Sequence, residues 1–129
     1  MSQKKTSARR RSSSALRPRV KVWFEIENAY VFGHGINEML RAVQRAGSIK
    51  RAAESLDKSY RYVWGRIKEA ESALGRSLVT TTVGGAGVQR SALTPLAERL
   101  SADFDRLRTR VMELVEREFS ARCESALDD

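Results

Sequence analysis

The chain has 129 residues, with 24 Lys and Arg against 16 Asp and Glu, and so a formal net charge of +8. Its apolar runs are too short to cross a membrane, so no membrane partner is expected. One cysteine allows no internal disulfide, which fits a reducing cytoplasm. One cysteine and one histidine also exclude a His/Cys zinc site within a single chain, and no metal or cofactor is predicted.

The positive charge is unevenly distributed along the chain. Residues 1–21 carry eight basic and no acidic side chains, which equals the whole net charge. Residues 41–90 are also basic, whereas residues 22–40 and 91–129 are both acidic. A basic tail and a basic middle on an acidic scaffold favour a polyanionic partner, most simply double-stranded DNA. The Ser-rich segment 1–19 is predicted to be a disordered tail, because it has almost no apolar residues.

Two short strands are predicted directly after this tail. Apolar side chains alternate along Val20–Ile26, the period expected of a strand. Glu27 and Asn28 then suit a turn, and Tyr30–Phe32 a return strand. The sequence therefore predicts a small N-terminal hairpin, and His34 between two glycines is predicted to lie in the surface loop that ends it.

Three helices with short connections follow. Apolar spacing predicts a first helix over about residues 36–46, ended by Gly47. Ser48 is a good N-cap for a short helix over residues 49–56. A third helix is predicted over residues 59–74, with Ser59 as its N-cap. On a helical projection, the face of the third helix predicted to be buried comprises Tyr60, Val63, Trp64, Ile67, Ala70 and Leu74.

A glycine-tipped hairpin and a long helix complete the chain. Residues 78–83 and 88–93 are predicted strands, joined by the flexible turn 84–87. Thr94 followed by Pro95 marks a helix start. This helix is predicted to reach residue 122, and residues 123–129 to fray. Its apolar stripe is predicted to form a homodimer interface through Leu100, Phe104, Leu107, Val111 and Leu114.

This order of elements predicts a fold that is mainly α with a small amount of β structure, a winged helix-turn-helix over residues 20–122. In such a fold the third helix enters the major groove of DNA while the second helix braces it. The two-stranded wing reaches phosphates or the minor groove. The exposed N-terminal half of the third helix offers Ser59, Arg61, Tyr62 and Arg66.

The sequence also resembles a known family over about residues 20–118, in an ordered series of short motifs. The N-terminal domain of ModE-type molybdate-dependent regulators has a similar series, and LysR-type DNA-binding arms are weaker matches. The motifs are Gly47-Ser48-Ile49 with Ala52-Ala53, Ser59-Tyr60-Arg61-Tyr62-Val63-Trp64, Leu78-Val79, Gly84-Gly85-x-Gly87 and Leu93-Thr94.

The resemblance implies a dimeric winged-helix domain that binds an operator through the helix starting at Ser59. It implies that Tyr60 lies at the DNA and that three glycines form the wing. Arg90 departs from the family's more glycine-rich wing and adds a cation there. The complete set of predicted DNA contacts is Lys58, Ser59, Tyr60, Arg61, Tyr62, Arg66, Gly84, Gly85, Gly87 and Arg90. Family members carry molybdate-binding domains that this sequence lacks, so no response to molybdate is expected.

A sequence-specific, cytoplasmic transcriptional regulator is the function that these features favour. Two alternatives remain: a nucleoid-associated architectural protein, in which the tail supplies most of the affinity, and an adaptor that binds proteins rather than DNA. No combination of a nucleophile, a base and an orienting group is evident, so an enzyme is not predicted.

Overall fold

The computed structural model describes residues 15–128. Residues 22–107 form one compact unit, and residues 15–21 together with 108–128 form a second. Most of the predicted basic tail, and Asp129, lie outside the described residues. The division into a tail, a DNA-binding domain and a frayed end stays a prediction. The predicted fold class is confirmed: helices dominate, with an N-terminal hairpin, a helix-turn-helix, a wing and a long C-terminal helix.

The N-terminal hairpin consists of strands β1 (Trp23–Ile26) and β2 (Ala29–Gly33), which pair antiparallel. Its two turn residues, Glu27 and Asn28, have φ angles of 51° and 69°. Positive φ at both central positions is the geometry that twists two strands together in a tight hairpin. The first strand begins three residues later than predicted, because only the residues from Trp23 have a partner in β2.

Helices α1 (His34–Ala46), α2 (Ile49–Ser55) and α3 (Tyr60–Leu74) follow with the predicted caps. Gly47 adopts φ 80° after α1, a conformation that side chains with a Cβ rarely take. The Ser48 and Ser59 hydroxyls accept the backbone N–H groups of Arg51 and Tyr62 at 3.1 and 3.0 Å. The loop prediction for His34 is wrong, since this residue begins α1.

The wing consists of strands β3 (Val79–Val83) and β4 (Gln89–Leu93), and a single 3₁₀ turn, Gly85–Gly87, joins them. Helix α4 then covers the predicted range, Pro95–Arg122. The Thr94 hydroxyl caps it by accepting the backbone N–H of Ala97 at 3.1 Å. A second 3₁₀ turn, Glu124–Leu127, lies in the segment that was predicted to fray.

The core of the first unit lies between the N-terminal hairpin, α1, α2, α3 and the start of α4. Phe104 of α4 is completely buried there, with its ring edge-on to Phe24 and Phe32 at centroid distances of 5.4 Å. Phe104 was predicted to belong to a dimer interface. Its burial among the chain's own aromatic rings makes it unavailable to a partner, so we no longer assign it to the interface.

A polar network joins α1 to the same part of α4. Asn37 is buried, donates to Asp105 Oδ1 at 2.8 Å and accepts the Ser101 hydroxyl at 2.6 Å. Arg41 donates to the other oxygen of Asp105. An unpaired buried polar group destabilises the protein, so arrangements of α1 and α4 that break these hydrogen bonds are unfavourable. The network therefore fixes one arrangement of the two helices.

The second unit contains apolar side chains, but none of its described residues is buried. Residues 15–21 alternate between exposed and half-buried positions. In the part of α4 that belongs to this unit, Val111, Met112, Val115 and Phe119 are half-buried and Leu114 is 49% exposed.

Candidate nucleic-acid interface

Helix α3 is held at its angle by the short helix before it. Ala52 and Ala53 of α2 are buried, and their small side chains allow α2 to pack closely. Asp57 has φ 58° and reverses the chain between the two helices. On the inner side of α3, Val63, Ile67 and Ala70 are buried. The opposite side of the helix is therefore free for a ligand.

The exposed N-terminal part of α3 carries most of the predicted DNA-contacting residues. Tyr60 and Tyr62 are 46% and 44% exposed, and Ser59 and Arg61 are also exposed. Two cations lie against Tyr62: Lys58 Nζ is 5.6 Å from its ring centroid, and Arg66 Nη1 is 3.5 Å from its hydroxyl. The structure thus brings these residues together on one surface.

The buried face predicted for α3 is wrong at two positions, because Trp64 is 43% exposed and Tyr60 46%. A helix advances about 100° per residue, so Trp64 lies about 80° away from the mean direction of Val63 and Ile67. Trp64 borders the core without entering it. With Tyr60 and Lys68 it forms a stripe at four-residue spacing along the side of α3 that faces the wing.

An open cleft lies beside this stripe, between α3, the start of α2 and the wing. Four of the residues that line this cleft are cationic. Within the described part of the chain, no acidic residue lines it. A concave surface with charges of one sign attracts a polyanion more strongly than a flat one does. The sequence prediction included Arg90 of the wing. It missed the other three cations of this cleft and the tryptophan, which are Lys50, Arg51, Lys68 and Trp64. The lining residues are Ala46, Gly47, Ser48, Ile49, Lys50, Arg51, Tyr60, Trp64, Lys68, Thr81, Val88, Gln89, Arg90 and Ser91.

The wing is exposed from Thr80 to Arg90, including the predicted glycines at its tip. Ala86 and Gly87 have φ angles of 62° and 77°, so the turn is a defined left-handed pair. The Gly84 N–H donates to the carbonyl of Val88 at 2.6 Å and closes the hairpin. This geometry presents backbone groups and the Arg90 side chain to the outside.

Polar contacts hold the base of the wing against the helices. The Glu71 carboxylate accepts the backbone N–H groups of Leu78 and Val79 at 2.8 and 3.1 Å. The N–H of Ser91 donates to the carbonyl of Gly47 at 2.8 Å. The exposed wing therefore has a fixed position relative to α3 and to the start of α2.

The remaining residues of the predicted dimer stripe differ in exposure. Leu100 is half-buried and packs against the core of the first unit. Leu107 is 43% exposed at the edge of that unit, and in the second unit Val111 is half-buried and Leu114 49% exposed. Leu107 and Leu114 are thus the two residues of the stripe with most apolar surface left in water.

Among residues 15–128, no cluster of three or more His, Cys, Asp or Glu side chains is arranged to hold a metal ion. No helix in this range is both long enough and apolar enough to cross a membrane.

Comparison with known proteins finds similarity in the central part of the chain. Residues 38–98 match the family described as bacterial regulatory helix-turn-helix protein, lysR family. The molybdenum transport protein ModE of Herbaspirillum seropedicae is 34% identical over 80 residues, which are 62% of this chain and 30% of that protein. Transcriptional regulator ModE of Haemophilus influenzae is 33% identical over 69 residues, which are 54% of this chain and 27% of that protein. The chain thus spans less than a third of the length of these relatives.

Solved structures with the same fold include two that contain DNA. The CbnR_DBD–DNA complex superposes with a TM-score of 0.51 and 22% identity, covering 67% of this chain and 94% of that one. The BenM_DBD complex with benA site 1 DNA gives a TM-score of 0.50 and 19% identity, covering 69% and 94%. The resemblance inferred from the motifs is confirmed: residues 38–98 match the bacterial lysR-family helix-turn-helix model, and the chain is similar in sequence to ModE regulators.

Proposed function

We propose that this chain is a sequence-specific DNA-binding transcriptional regulator. The observation that carries the proposal is the exposed N-terminal half of α3 beside a cationic cleft, in a domain of a regulatory family. Helix α3 would lie in the major groove, and Lys58, Arg66 and the wing would contact phosphates on either side. Phosphate contacts position the protein, whereas side chains on the outer face of α3 would read base edges.

The test is a selection of bound duplexes from a random pool by the full chain, followed by affinity measurements at fixed salt. A sequence-specific regulator should bind its selected duplex at least ~10³-fold more tightly than random DNA. A ratio near one would contradict the proposal and favour an architectural DNA-binding protein. Failure to bind either duplex would favour the adaptor alternative.

Arg61 is the residue that we propose to read a base. It projects from the outer face of α3 as the second residue of the helix, and an arginine there can donate two hydrogen bonds to guanine. Arg61→Ala should weaken binding to the selected duplex by about 1–3 kcal/mol and relax the preference at one base pair in each half-site.

The matched control is Arg99→Ala, which removes an arginine that is 82% exposed on α4 and paired with Asp103. This variant should keep the wild-type affinity and base preference. If Arg61→Ala loses the same affinity on selected and random duplexes, then Arg61 contacts phosphate and does not read a base.

We further propose that α4 forms a homodimer through Leu107 and Leu114. A helix of 28 residues is about 42 Å long and leaves these side chains in water in a single chain. Large exposed apolar side chains on one stripe are commonly covered by a partner, and three-and-four spacing suits a second helix. Two-fold symmetry would present two copies of α3 to successive major grooves, about 34 Å apart.

Leu107→Asp combined with Leu114→Asp should give monomers, because each buried interface carboxylate would lack a partner. Binding to a palindromic selected site should weaken strongly. Sedimentation at micromolar concentration measures the first effect, and Thr109→Asp, on an exposed position of the same helix, is the control. A wild-type monomer that binds a half-site as well as a full site would contradict the proposal.

A further inference from the structure

Trp64 leaves a large apolar surface in water at the centre of the proposed binding surface. Trp64 is 43% exposed, although tryptophan is usually among the more buried residues. It lines the cleft together with Tyr60 and Lys68, one helical turn to either side. Exposed aromatic groups in a concave surface commonly mark a place where a ligand covers them.

Neighbouring side chains hold this indole in place. Lys68 Nζ lies 5.6 Å from the Trp64 ring centroid and 3.2 Å from Glu71 Oε1. Glu71 is only 12% exposed and bonded to two backbone N–H groups of the wing, so it is itself fixed. Through Lys68, Glu71 therefore orients Trp64, and an oriented aromatic ring loses little entropy when it binds.

The residues that line the cleft indicate the class of ligand that covers Trp64. Four cationic side chains line the cleft, two from α2, one from α3 and one from β4, so the occupant is a polyanion. The occupant must also offer an apolar group to the indole. On the base edges of the major groove, the only apolar group is the 5-methyl of thymine.

We propose that Trp64 is a specificity-determining residue that packs its indole against a thymine 5-methyl group, while the surrounding cations contact the adjoining phosphates. This inference rests on the proposed function, since it requires α3 to lie in the major groove. It adds a second readout to the hydrogen bonds proposed for Arg61: preference for thymine by apolar contact.

The test replaces each thymine of the selected duplex in turn by deoxyuridine, which deletes the methyl group and leaves every hydrogen-bonding group unchanged. Wild-type protein should lose about fourfold in affinity at one thymine per half-site, because the burial of one methyl group is lost. Trp64→Ala should bind the thymine and deoxyuridine duplexes with equal affinity. Trp64→Phe, which keeps an aromatic ring, should retain part of the discrimination.

Trp23→Ala is the matched control, because Trp23 is a similarly exposed tryptophan in strand β1 and is not among the residues that line the cleft. It should keep the fourfold discrimination. Trp64→Ala opens no cavity in the core, and an unchanged urea unfolding midpoint verifies that this variant is folded.

Two results would overturn the inference while the proposed function stands. One is a wild-type protein that prefers its selected duplex but is insensitive to every thymine replacement. The other is a Trp64→Ala variant that keeps the full discrimination, even if it binds both duplexes more weakly. A wild-type protein that does not distinguish selected from random DNA would instead overturn the proposed function, and this inference with it.

Discussion

The two hairpins of the first unit have the same antiparallel topology but opposite surroundings. In β2, Val31, Phe32 and Gly33 are buried, and the segment 22–40 around the hairpin carries three glutamates and no Lys or Arg. In the wing, residues 80–90 are all exposed, and residues 79–93 carry one arginine and no acid. The first hairpin is part of the core, whereas the second is left free for a ligand. Strand pairing alone does not distinguish these two roles.

What holds each hairpin also differs. The first is held by aromatic packing, since Phe24 and Phe32 both contact Phe104. The wing is held at its base by hydrogen bonds to Glu71 and Gly47, whereas its tip is exposed. Apolar burial stabilises in proportion to the area removed from water, whereas a hydrogen bond contributes a smaller net amount. Substitutions in the two hairpins should therefore have effects of different size and kind.

The largest effect is expected for Phe32→Ala in the first hairpin. Removing a fully buried phenylalanine should lower the free energy of unfolding by about 3–5 kcal/mol, through lost burial and the cavity left beside Phe104. Urea unfolding measures the loss. Thr82→Ala, at an exposed position of the wing, should change stability by less than about 0.5 kcal/mol. Similar losses for the two variants would contradict the contrast between the hairpins.

The elements that the sequence predicted well are those with local causes. The caps at Ser48, Ser59 and Thr94 and the stop at Gly47 depend on residues within one turn of each helix end, so they can be recognised without knowledge of the fold. The order of these elements was sufficient to predict the winged helix-turn-helix.

The predictions that failed depend on distant parts of the chain. The spacing of Phe104 on α4 is equally suited to a core or to a partner, and only Phe24 and Phe32, more than 70 residues earlier, decide for the core. Trp64 lies at the border of the apolar face of α3, and the rest of the core leaves it 43% exposed. The cleft likewise joins side chains from α2, α3 and β4, which no single motif contains.

An intermediate effect is expected for Glu71→Ala, which removes the carboxylate that anchors β3. Two backbone N–H groups would lose their charged acceptor in a half-buried place, at a cost of about 1.5–3 kcal/mol. Chemical unfolding measures the loss. Glu71→Gln keeps an oxygen acceptor and should recover part of the stability. Equal losses in the two variants would mean that the negative charge, and not the acceptor, holds the wing.

The smallest effect on the fold, and the clearest on binding, is expected for Arg90→Gln in the wing. Arg90 is exposed opposite Thr82 and lines the cleft, so its loss should leave the unfolding midpoint unchanged. If Arg90 neutralises one phosphate, the slope of log K against log salt should become shallower by about 0.9 for each bound protomer. The preferred DNA sequence should not change, because a phosphate contact carries no base information.

Titration of the wild type and the variant against the selected duplex at several salt concentrations measures this slope. Arg99→Gln, on α4, removes the same charge from the chain and should leave the slope unchanged, which separates a local contact from the general effect of net charge. A changed base preference in Arg90→Gln would mean that the wing reads bases in the minor groove. The wing would then be a second element of the protein that reads bases.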